Sequence, residues 1–169
     1  MKDPDIDVQT LINQMSGRLQ EILAAEGCAN PYMIGIHTGG VWIAERLHKE
    51  LGLEYPLGKL NIAFYRDDFS RIGVHPTVKP SDLTTEIENR TLILVDDVLY
   101  TGRTIRAALN EIFDYGRPAK VILAVLVERS GRELPIQADV VGKSMTLKHD
   151  EHVKLCGPEP LALEITTAE

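Results

Sequence analysis

Apolar positions along this chain follow two spacings in turn, one typical of helices and one typical of buried strands. Between Val8 and Leu23 they recur every three or four residues, the spacing of an amphipathic helix that packs on the body of a protein. Unbroken aliphatic runs, as expected for strands buried on both faces, occupy Tyr32–Ile36, Leu92–Val95 and Val121–Val127. After the first two runs the spacing becomes helical again, at Val41–Leu51 and from Ile105 onward. This order predicts an α/β fold, a mostly parallel twisted sheet with helices on both faces.

Two stretches follow neither pattern for long. Lys59–Tyr65 alternates like a strand, but residues 66 to 81 have no periodicity and are punctuated by Gly73 and Pro76. A structureless stretch of that length inside a compact domain is usually functional or disordered. The tail from Leu147 onward predicts a short terminal strand or two and contains no recognisable chemistry.

Composition indicates a single globular domain over residues 1 to 169. Hydrophobic residues make up 44% and charged residues 25% of the chain, which is ordinary for a soluble domain. No apolar run approaches the roughly 18 residues of a membrane span. The two cysteines have neither metal-ligand nor disulfide-framework spacing. We therefore expect a cytoplasmic protein with reduced thiols and no membrane partner.

The net charge of −7 restricts the class of partner. Nucleic-acid-binding proteins usually present a basic face, and no run of lysine and arginine occurs here, although a local patch could still assemble in the fold. Small anionic substrates need only a few well-placed donors and a metal ion. The acidic balance is therefore compatible with an enzyme.

The most informative segment joins the second aliphatic run to the helix after it. The run ends at Asp96 and Asp97, the turn Thr101–Thr104 follows with the sequence Thr-Gly-Arg-Thr, and helical spacing then begins. Unpaired backbone N–H groups at the start of a helix attract anions, glycine allows close approach, and threonine hydroxyls add donors. The carboxylates can accept hydrogen bonds from ribose hydroxyls or help to hold a divalent cation. This order of elements predicts a site for a sugar phosphate.

Two other interpretations of this segment are weaker. An ATP-binding Walker A loop requires Gly-x-x-x-x-Gly-Lys-Ser/Thr, which the chain lacks. Alternatively, the acids only cap the next helix and the turn is solvated surface. Adjacent strand residues point to opposite faces, so Asp96 and Asp97 can serve one ligand only if the strand bends between them.

A second strand–turn–helix unit has the sequence His37-Thr38-Gly39-Gly40 at its turn. A Gly-Gly turn can cradle an anion or simply make a tight structural turn. His37 could donate to a phosphate, but an isolated histidine is usually a polar surface residue. Ligands of open α/β sheets bind at the carboxyl ends of the strands, and both turns are predicted at such ends.

Asp96–Thr104 resembles the phosphoribosyl-pyrophosphate signature of the type I phosphoribosyltransferases. A tyrosine before the Thr-Gly pair narrows the resemblance to a branch that regulates pyrimidine operons and has uracil phosphoribosyltransferase activity. The segments that support this branch are Tyr100, Asp114–Pro118, Leu123–Val127 and Arg132–Ile136. The resemblance covers roughly residues 8 to 145 and is strongest from 92 to 142.

The resemblance implies a type I phosphoribosyltransferase fold with a small hood and a flexible loop, and it assigns roles to residues. Asp96, Asp97 and Arg66 would be catalytic, and the two aspartates would also hold Mg²⁺, largely through the substrate. The 5′-phosphate and its sugar would contact Val98, Tyr100, Thr101, Gly102, Arg103 and Thr104. The pyrophosphate loop would be His37, Thr38, Gly39 and Gly40, the flexible loop would contain Arg66, Asp67, Asp68 and Arg71, and the base would contact Val140 and Val141.

The implied reaction converts uracil and phosphoribosyl pyrophosphate (PRPP) to UMP and diphosphate with Mg²⁺, in a homodimer or larger homo-oligomer. Three positions depart from the common family pattern. Gly39 stands where an arginine is common, Val140 where a tyrosine is common, and Ser130-Gly131 where Gly-His is common. These departures bear on how pyrophosphate, base and RNA are recognised.

Two other functions remain compatible with the sequence. Purine-using relatives usually have an aspartate at the position of Tyr100, and a phenol is a poor proton acceptor at neutral pH, which makes a purine substrate the weaker alternative. The other alternative is a non-catalytic regulator that senses uridine nucleotides and binds RNA through a basic surface. The candidates for that surface are Arg18, Arg129, Arg132 and Lys143.

Overall fold

The computed structural model describes residues 7 to 62 and 81 to 168, which form a central sheet, three helices and a separate hairpin. The helices are α1 (Val8–Ala25), α2 (Gly39–Leu51) and α3 (Arg103–Tyr115). The strands are β1 (Tyr32–Ile36), β2 (Gly58–Leu60), β3 (Thr91–Leu99), β4 (Lys120–Arg129), β5 (Val140–Met145), β6 (Glu151–Cys156) and β7 (Ala162–Thr167).

The central sheet has five strands in the order β2-β1-β3-β4-β5, and every neighbouring pair is parallel. β6 and β7 form a separate antiparallel hairpin. Because the central strands are parallel, their carboxyl ends lie along one side of the sheet, which we call the carboxyl edge. β1, β3, β4 and β5 reach this edge at Ile36, Leu99, Arg129 and Met145.

Both faces of the central sheet are covered by helices. α1 and α2 pack on the face that contains Met33, Ile93 and Ala124. α3 packs on the other face, which contains Ile34 and Leu94. Strands covered on both faces need apolar side chains at consecutive positions, which explains the aliphatic runs. The predicted α/β architecture is confirmed.

Local hydrogen bonds and glycines determine where the helices begin and end. The Asp7 carboxylate caps α1, accepting from the Gln9 N–H at 3.1 Å and from the Thr10 hydroxyl at 2.6 Å. The Thr10 hydroxyl, aided by the backbone N–H groups, holds the pKa of Asp7 below its usual value. Gly27 and Gly52 follow α1 and α2 with φ of 64° and 60°, left-handed conformations that glycine adopts without steric cost.

β3 is longer than the aliphatic pattern predicts. The prediction that the strand stops at the acid pair is wrong, because β3 continues to Leu99, which lies beside Glu128 of β4. The two carboxylates are tolerated inside the strand because each accepts a hydrogen bond from the next backbone N–H. The Asp97 N–H donates to Asp96 Oδ1 at 2.9 Å, and the Val98 N–H donates to Asp97 Oδ1 at 2.8 Å.

The family resemblance implies that residues 138–143 help to form the hood over the base. Most of residues 138–143 lies in β5, an edge strand whose half-exposed residues have no apolar run that would have identified it as a strand. The predicted short terminal strands are confirmed as β6 and β7. Leu155 and Leu163 of this hairpin pack into the core on the α1–α2 side.

The predicted flexible loop lies outside the described residues. This applies to Arg66, Asp67, Asp68 and Arg71, and to the end of the strand predicted over Lys59–Tyr65, whose first residues belong to β2. Within the two described ranges, no helix combines the length and apolar character needed to cross a membrane.

Candidate active site at the carboxyl edge

The acid pair packs directly against the first turn of α2. A Cβ atom added to Gly39 would lie 2.2 Å from Asp97 Oδ2. One added to Gly40 would lie 2.6 Å from the Val95 carbonyl oxygen and 3.2 Å from Asp96 Oδ1. The two glycines therefore leave the space in which the carboxylates lie, and both carboxylates reach the start of α2 although they come from adjacent strand residues.

This packing gives a physical reason for the glycine at position 39. An arginine there would place its Cβ where the Asp97 carboxylate now lies. α2 begins at Gly39 after a cis peptide between His37 and Thr38, and within the described residues no side chain caps its first turn. The turn His37–Gly40 and the acid pair are thus brought together, while the binding of pyrophosphate by this turn stays a prediction.

The two aspartates differ in exposure. Asp96 is 2% exposed, whereas Asp97 is only partly buried. An ionised carboxylate is costly to bury unless it is hydrogen-bonded, and the backbone N–H of Asp97 supplies one such bond to Asp96. Asp97 is therefore the acid more accessible to a ligand, and Asp96 lies behind it.

The Thr-Gly turn is held by the loop that follows β4. The Thr101 carbonyl oxygen accepts hydrogen bonds from the Glu133 and Leu134 N–H groups, each at 3.0 Å. Gly102 has a φ of 96°, and a Cβ there would lie 3.3 Å from side-chain atoms of Leu134 and Ile136. Glycine is therefore required at this position by its backbone conformation and favoured by its packing.

The N-terminus of α3 retains hydrogen-bond donors. Thr101 Oγ1 accepts the Arg103 N–H at 3.2 Å, which leaves the hydroxyl hydrogen able to donate elsewhere. The Arg103 side chain is held by Glu133 at 3.1 Å, an exposed pair that contributes little stability. The dipole of α3 favours an anion at this end. Thr101, Gly102, Arg103 and Thr104 thus surround one helix terminus, and their contact with a phosphate stays a prediction.

Tyr100 is surrounded by residues at the end of β4 and in the loop that follows it. The guanidinium carbon of Arg129 lies 4.1 Å from the centroid of the Tyr100 ring. Arg132 donates to the Tyr100 carbonyl oxygen and, at 2.6 Å, to the Glu128 carboxylate. A Cβ at Gly131 would lie 2.5 Å from Tyr100 Cε2. The ring is 39% exposed, so part of it remains available to a ligand.

Arg129 is a buried cation that the sequence suggested only as an RNA contact. It is 6% exposed and donates to the Glu151 carbonyl oxygen at 2.9 Å and to the Lys148 carbonyl oxygen at 3.4 Å. The neighbouring Ser130 hydroxyl accepts the Leu147 N–H at 3.1 Å. Ser130 therefore ties the loop after β4 to the β5–β6 connection, while Gly131 makes room for Tyr100. The charged pair Glu128-Arg129, directly after the aliphatic run Val121–Val127, was the signal available in the sequence.

An open cavity of about 290 Å³ lies at the carboxyl ends of β4 and β5. Three of its lining residues also contact Tyr100: Arg129 and Gly131 lie against the ring, and Arg132 donates to the backbone carbonyl oxygen. Polar and apolar atoms share the lining about equally, and the Glu128 carboxylate and the Ser144 hydroxyl are among its polar groups. The lining residues are Glu128–Arg132 and Ser144–Thr146.

The structure does not bring Val140 and Val141 to this cavity. Val140 is buried in the core, and Val141 lies beside Val125, well before β4 ends. The Val141 carbonyl oxygen already accepts Arg18 Nη1 at 2.6 Å. The base contacts at these two residues stay a prediction, because Val140 and Val141 begin β5 whereas the cavity is lined by the residues at its end.

The candidate RNA contacts do not form an open basic face. Arg18 donates to a backbone carbonyl oxygen, Arg129 is buried, and Arg132 is bound to a carboxylate. Lys143, on the edge strand β5, is the one candidate of the four that makes no such contact within residues 7 to 62 and 81 to 168.

Gly131→Ala is expected to lower the free energy of unfolding by about 1–3 kcal/mol and to displace the Tyr100 ring. The φ of Gly131 is 117°, and the new Cβ would meet the ring. Thermal melts and near-ultraviolet circular dichroism measure both effects. Gly17→Ala is the control, because that position lies in α1 with nothing within 4 Å and alanine favours a helix. Equal melting of the two variants would contradict the packing of Gly131 on Tyr100.

A family model described as the phosphoribosyl transferase domain matches residues 9–160. Over 162 residues the chain is 59% identical to the "Bifunctional protein PyrR" of Nitrosococcus oceani, covering 95% of this chain and 92% of that protein. The chain belongs to the PyrR family of phosphoribosyltransferases. A PyrR protein of Pseudomonas paraeruginosa is 58% identical over 154 residues, with 91% of each chain covered.

Solved structures agree with this PyrR assignment at the level of the fold. A purine phosphoribosyltransferase from Pyrococcus horikoshii superposes with a TM-score of 0.62 at 22% identity, covering 83% of this chain and 85% of that one. A hypoxanthine phosphoribosyltransferase from Trypanosoma cruzi gives 0.63 at 20% identity, covering 83% and 74%. The type I phosphoribosyltransferase fold is therefore confirmed, and at this identity the likeness says nothing about the base.

Proposed function

We propose that this PyrR-family chain is a cytoplasmic uracil phosphoribosyltransferase, which converts uracil and PRPP to UMP and diphosphate. The observation that carries the proposal is the meeting of Asp96 and Asp97 with the α2 glycine turn, at the same edge as the N-terminus of α3. A sugar phosphate requires acceptors for its hydroxyls and donors for its phosphates within one site. The carboxyl edge supplies both.

Each part of the edge has a role in the proposed reaction. The N-terminus of α3, with Thr101 and Thr104, would bind the 5′-phosphate. Asp96 and Asp97 would orient the ribose hydroxyls and stabilise the positive charge that develops on the ribose ring as its bond to diphosphate breaks. The turn His37–Gly40 would hold the leaving diphosphate near the start of α2.

The acid pair also suits Mg²⁺ that is shared with the substrate. In the described part of the chain, no three His, Cys, Asp or Glu residues cluster closely enough to hold a metal ion. Mg²⁺ prefers oxygen ligands and commonly takes one or two carboxylates together with substrate phosphates. When bound, it would neutralise charge on the leaving diphosphate. Without Mg²⁺, the diphosphate charge would be repelled by Asp97, which lies against Gly39. Related sequences commonly have an arginine at position 39.

The base is proposed to lie in the cavity at the ends of β4 and β5. Glu128, Arg132 and Ser144 offer acceptors and donors there, which suits the hydrogen-bonding edge of a pyrimidine. Tyr100 lies where purine-using relatives usually have an aspartate. Its ring, held beside the cavity by Arg129, supports a pyrimidine over a purine.

The proposal includes two elements beyond the described residues. The loop that contains Arg66, Asp67, Asp68 and Arg71 would close over the substrates and keep water from the activated sugar. Association into a homodimer or larger homo-oligomer is proposed from the family resemblance.

Turnover of uracil, with hypoxanthine as the control base, tests the proposed function. We expect UMP to form from uracil and PRPP with Mg²⁺, and kcat/KM for hypoxanthine to be at least about 100-fold lower, because unpaired polar groups penalise the wrong base. Chromatography of the nucleotide products measures both rates. Appreciable hypoxanthine turnover would overturn the base assignment. Absence of turnover with either base, with UMP binding retained, would reduce the site to a nucleotide sensor.

A second function in gene regulation is proposed because the most similar relatives reported above carry the name "Bifunctional protein PyrR". Because Arg18, Arg129 and Arg132 are buried or already paired, residues other than these arginines would have to contact the RNA. Binding of a specific RNA hairpin that weakens steeply with salt supports this function. Equal binding of unrelated RNA contradicts it.

A further inference from the structure

The Arg129 guanidinium joins two segments of the carboxyl edge that are distant in sequence. One is the Tyr100 ring, at 4.1 Å. The other is the turn Lys148–Glu151, whose first and last carbonyl oxygens accept from Arg129 at 3.4 and 2.9 Å. The turn is closed by the Glu151 N–H, which donates to the Lys148 carbonyl oxygen at 3.1 Å. One oxygen atom thus serves the turn and the arginine together.

The chemistry of arginine suits this position better than that of lysine. A planar guanidinium can stack on an aromatic ring while its N–H groups point outward, in its own plane, toward acceptors. An ammonium is a compact charge that cannot do both in the same way. A buried charge is costly when its donors are unpaired. The Tyr100 ring and the two carbonyl oxygens therefore stabilise one and the same position of the Arg129 guanidinium.

We infer that Arg129 is a positioning residue that couples Tyr100 to the turn Lys148–Glu151. Tyr100 directly precedes the Thr-Gly turn, and Arg129 lines the cavity proposed for the base. A ligand that orders the Thr-Gly turn therefore also orders the cavity wall, although the ligand does not contact that wall. The kinetic consequence rests on the proposed function: the bound sugar phosphate prepares the site for the base.

Amide hydrogen exchange of the ligand-free chain tests the coupling without any activity. Arg129→Met is expected to speed exchange of the Glu151 amide about tenfold or more. Tyr100→Leu, which does not touch that amide, is expected to speed it about three- to thirtyfold, the range that a cation–π contact is worth. The double variant is expected to exchange no faster than Arg129→Met. An unchanged Glu151 amide in Tyr100→Leu, or multiplying effects in the double variant, would overturn the coupling.

Two further variants separate the coupling from general loosening of the hairpin. Arg46→Met removes an arginine that binds the far end of the hairpin, at Pro158 and Glu159. It is expected to leave exchange at Glu151 and the kinetics unchanged, and faster exchange at Glu151 would overturn a specific role for Arg129. Arg129→Lys keeps the charge without the planar fork and is expected to behave like Arg129→Met. Wild-type exchange in this variant would overturn the requirement for a guanidinium.

Tyr100→Leu keeps the inference testable if the Arg129 variants do not fold, because Tyr100 is partly exposed. In kinetics, Arg129→Met is expected to raise the KM for uracil about tenfold and to leave the KM for PRPP within about twofold. The Thr-Gly turn is held separately by Glu133 and Leu134, which accounts for this difference. A rise confined to the KM for PRPP would overturn the link to the base cavity. If the wild-type chain forms no UMP, the proposed function fails, and the exchange data still decide the coupling.

Discussion

Asp97→Asn is expected to lower kcat/KM for UMP formation by about 100- to 1,000-fold with little change in stability. A unit charge about 4 Å from a developing positive charge is worth about 4 kcal/mol at a partly exposed site. Preorganised groups of this kind contribute comparable amounts in other enzymes. Asparagine retains an Oδ1 atom that can accept the Val98 N–H, which now donates to Asp97 Oδ1 at 2.8 Å. The variant therefore removes the charge and keeps the backbone contact.

Gly39→Ala is the matched control, because it keeps the charge of the Asp97 carboxylate but moves that carboxylate. The new Cβ would lie 2.2 Å from Asp97 Oδ2, so the carboxylate must rotate away. Steady-state rates at saturating Mg²⁺, together with thermal melts, are measured for both variants. We expect Gly39→Ala to lose activity in the same direction, by about tenfold or more. Wild-type turnover in a folded Asp97→Asn variant would remove Asp97 from the mechanism.

Gly40→Ala is expected to damage the fold itself. Its Cβ would lie 2.6 Å from the Val95 carbonyl oxygen and 3.0 Å from the Asp96 Cα atom, both in the main chain of β3. The middle strand of the sheet cannot move aside as the end of a side chain can. Overpacking of this kind costs about 1–3 kcal/mol or more, which corresponds to a fall in Tm of about 2–12 °C for a chain of this size.

Gly39→Ala, at the neighbouring glycine, is the control for Gly40→Ala. The three atoms nearest the new Cβ in Gly39→Ala all belong to the Asp97 side chain, so its Tm is expected to stay within a few degrees of wild type. Thermal and urea denaturation of the two variants are measured side by side. Wild-type stability in Gly40→Ala would mean that α2 does not approach β3 as closely as the structure has it.

The central elements were predictable because strands buried on both faces need unbroken aliphatic runs, which are easily recognised in the sequence. β1 has the predicted bounds, Tyr32–Ile36, and α1 exceeds its predicted range by two residues at Ala25. Aliphatic runs do not identify the parts of a strand that carry charged residues or a strand that lies at the edge of the sheet. β3 runs on through the acid pair because the carboxylates accept from local N–H groups, so its apolar run marks only its first half. β5 is mostly half-exposed and has no apolar run of this kind.

The location of the candidate site was predictable from the sequence, whereas the contacts within it were less so. Parallel strands bring the turns after β1 and β3 to one edge, which placed His37–Gly40 near the acid pair. The same reasoning could not place the cavity, because its position depends on where β5 ends. Val140 and Val141 lie below the edge, and Ser144–Thr146 line the cavity.

By itself, the sequence determined the α/β architecture, the acid pair, and the two turns His37–Gly40 and Thr101–Thr104 that are predicted to bind anions. These features depend on local order along the chain: aliphatic runs, glycines at turns and the start of a helix. Only the tertiary structure decided that Gly39 and Gly40 make room for the carboxylates, and that Arg129 is a buried link between Tyr100 and the β6 turn. These contacts join residues far apart in the chain, and their distances follow from how helix, strand and hairpin pack, which no local pattern records.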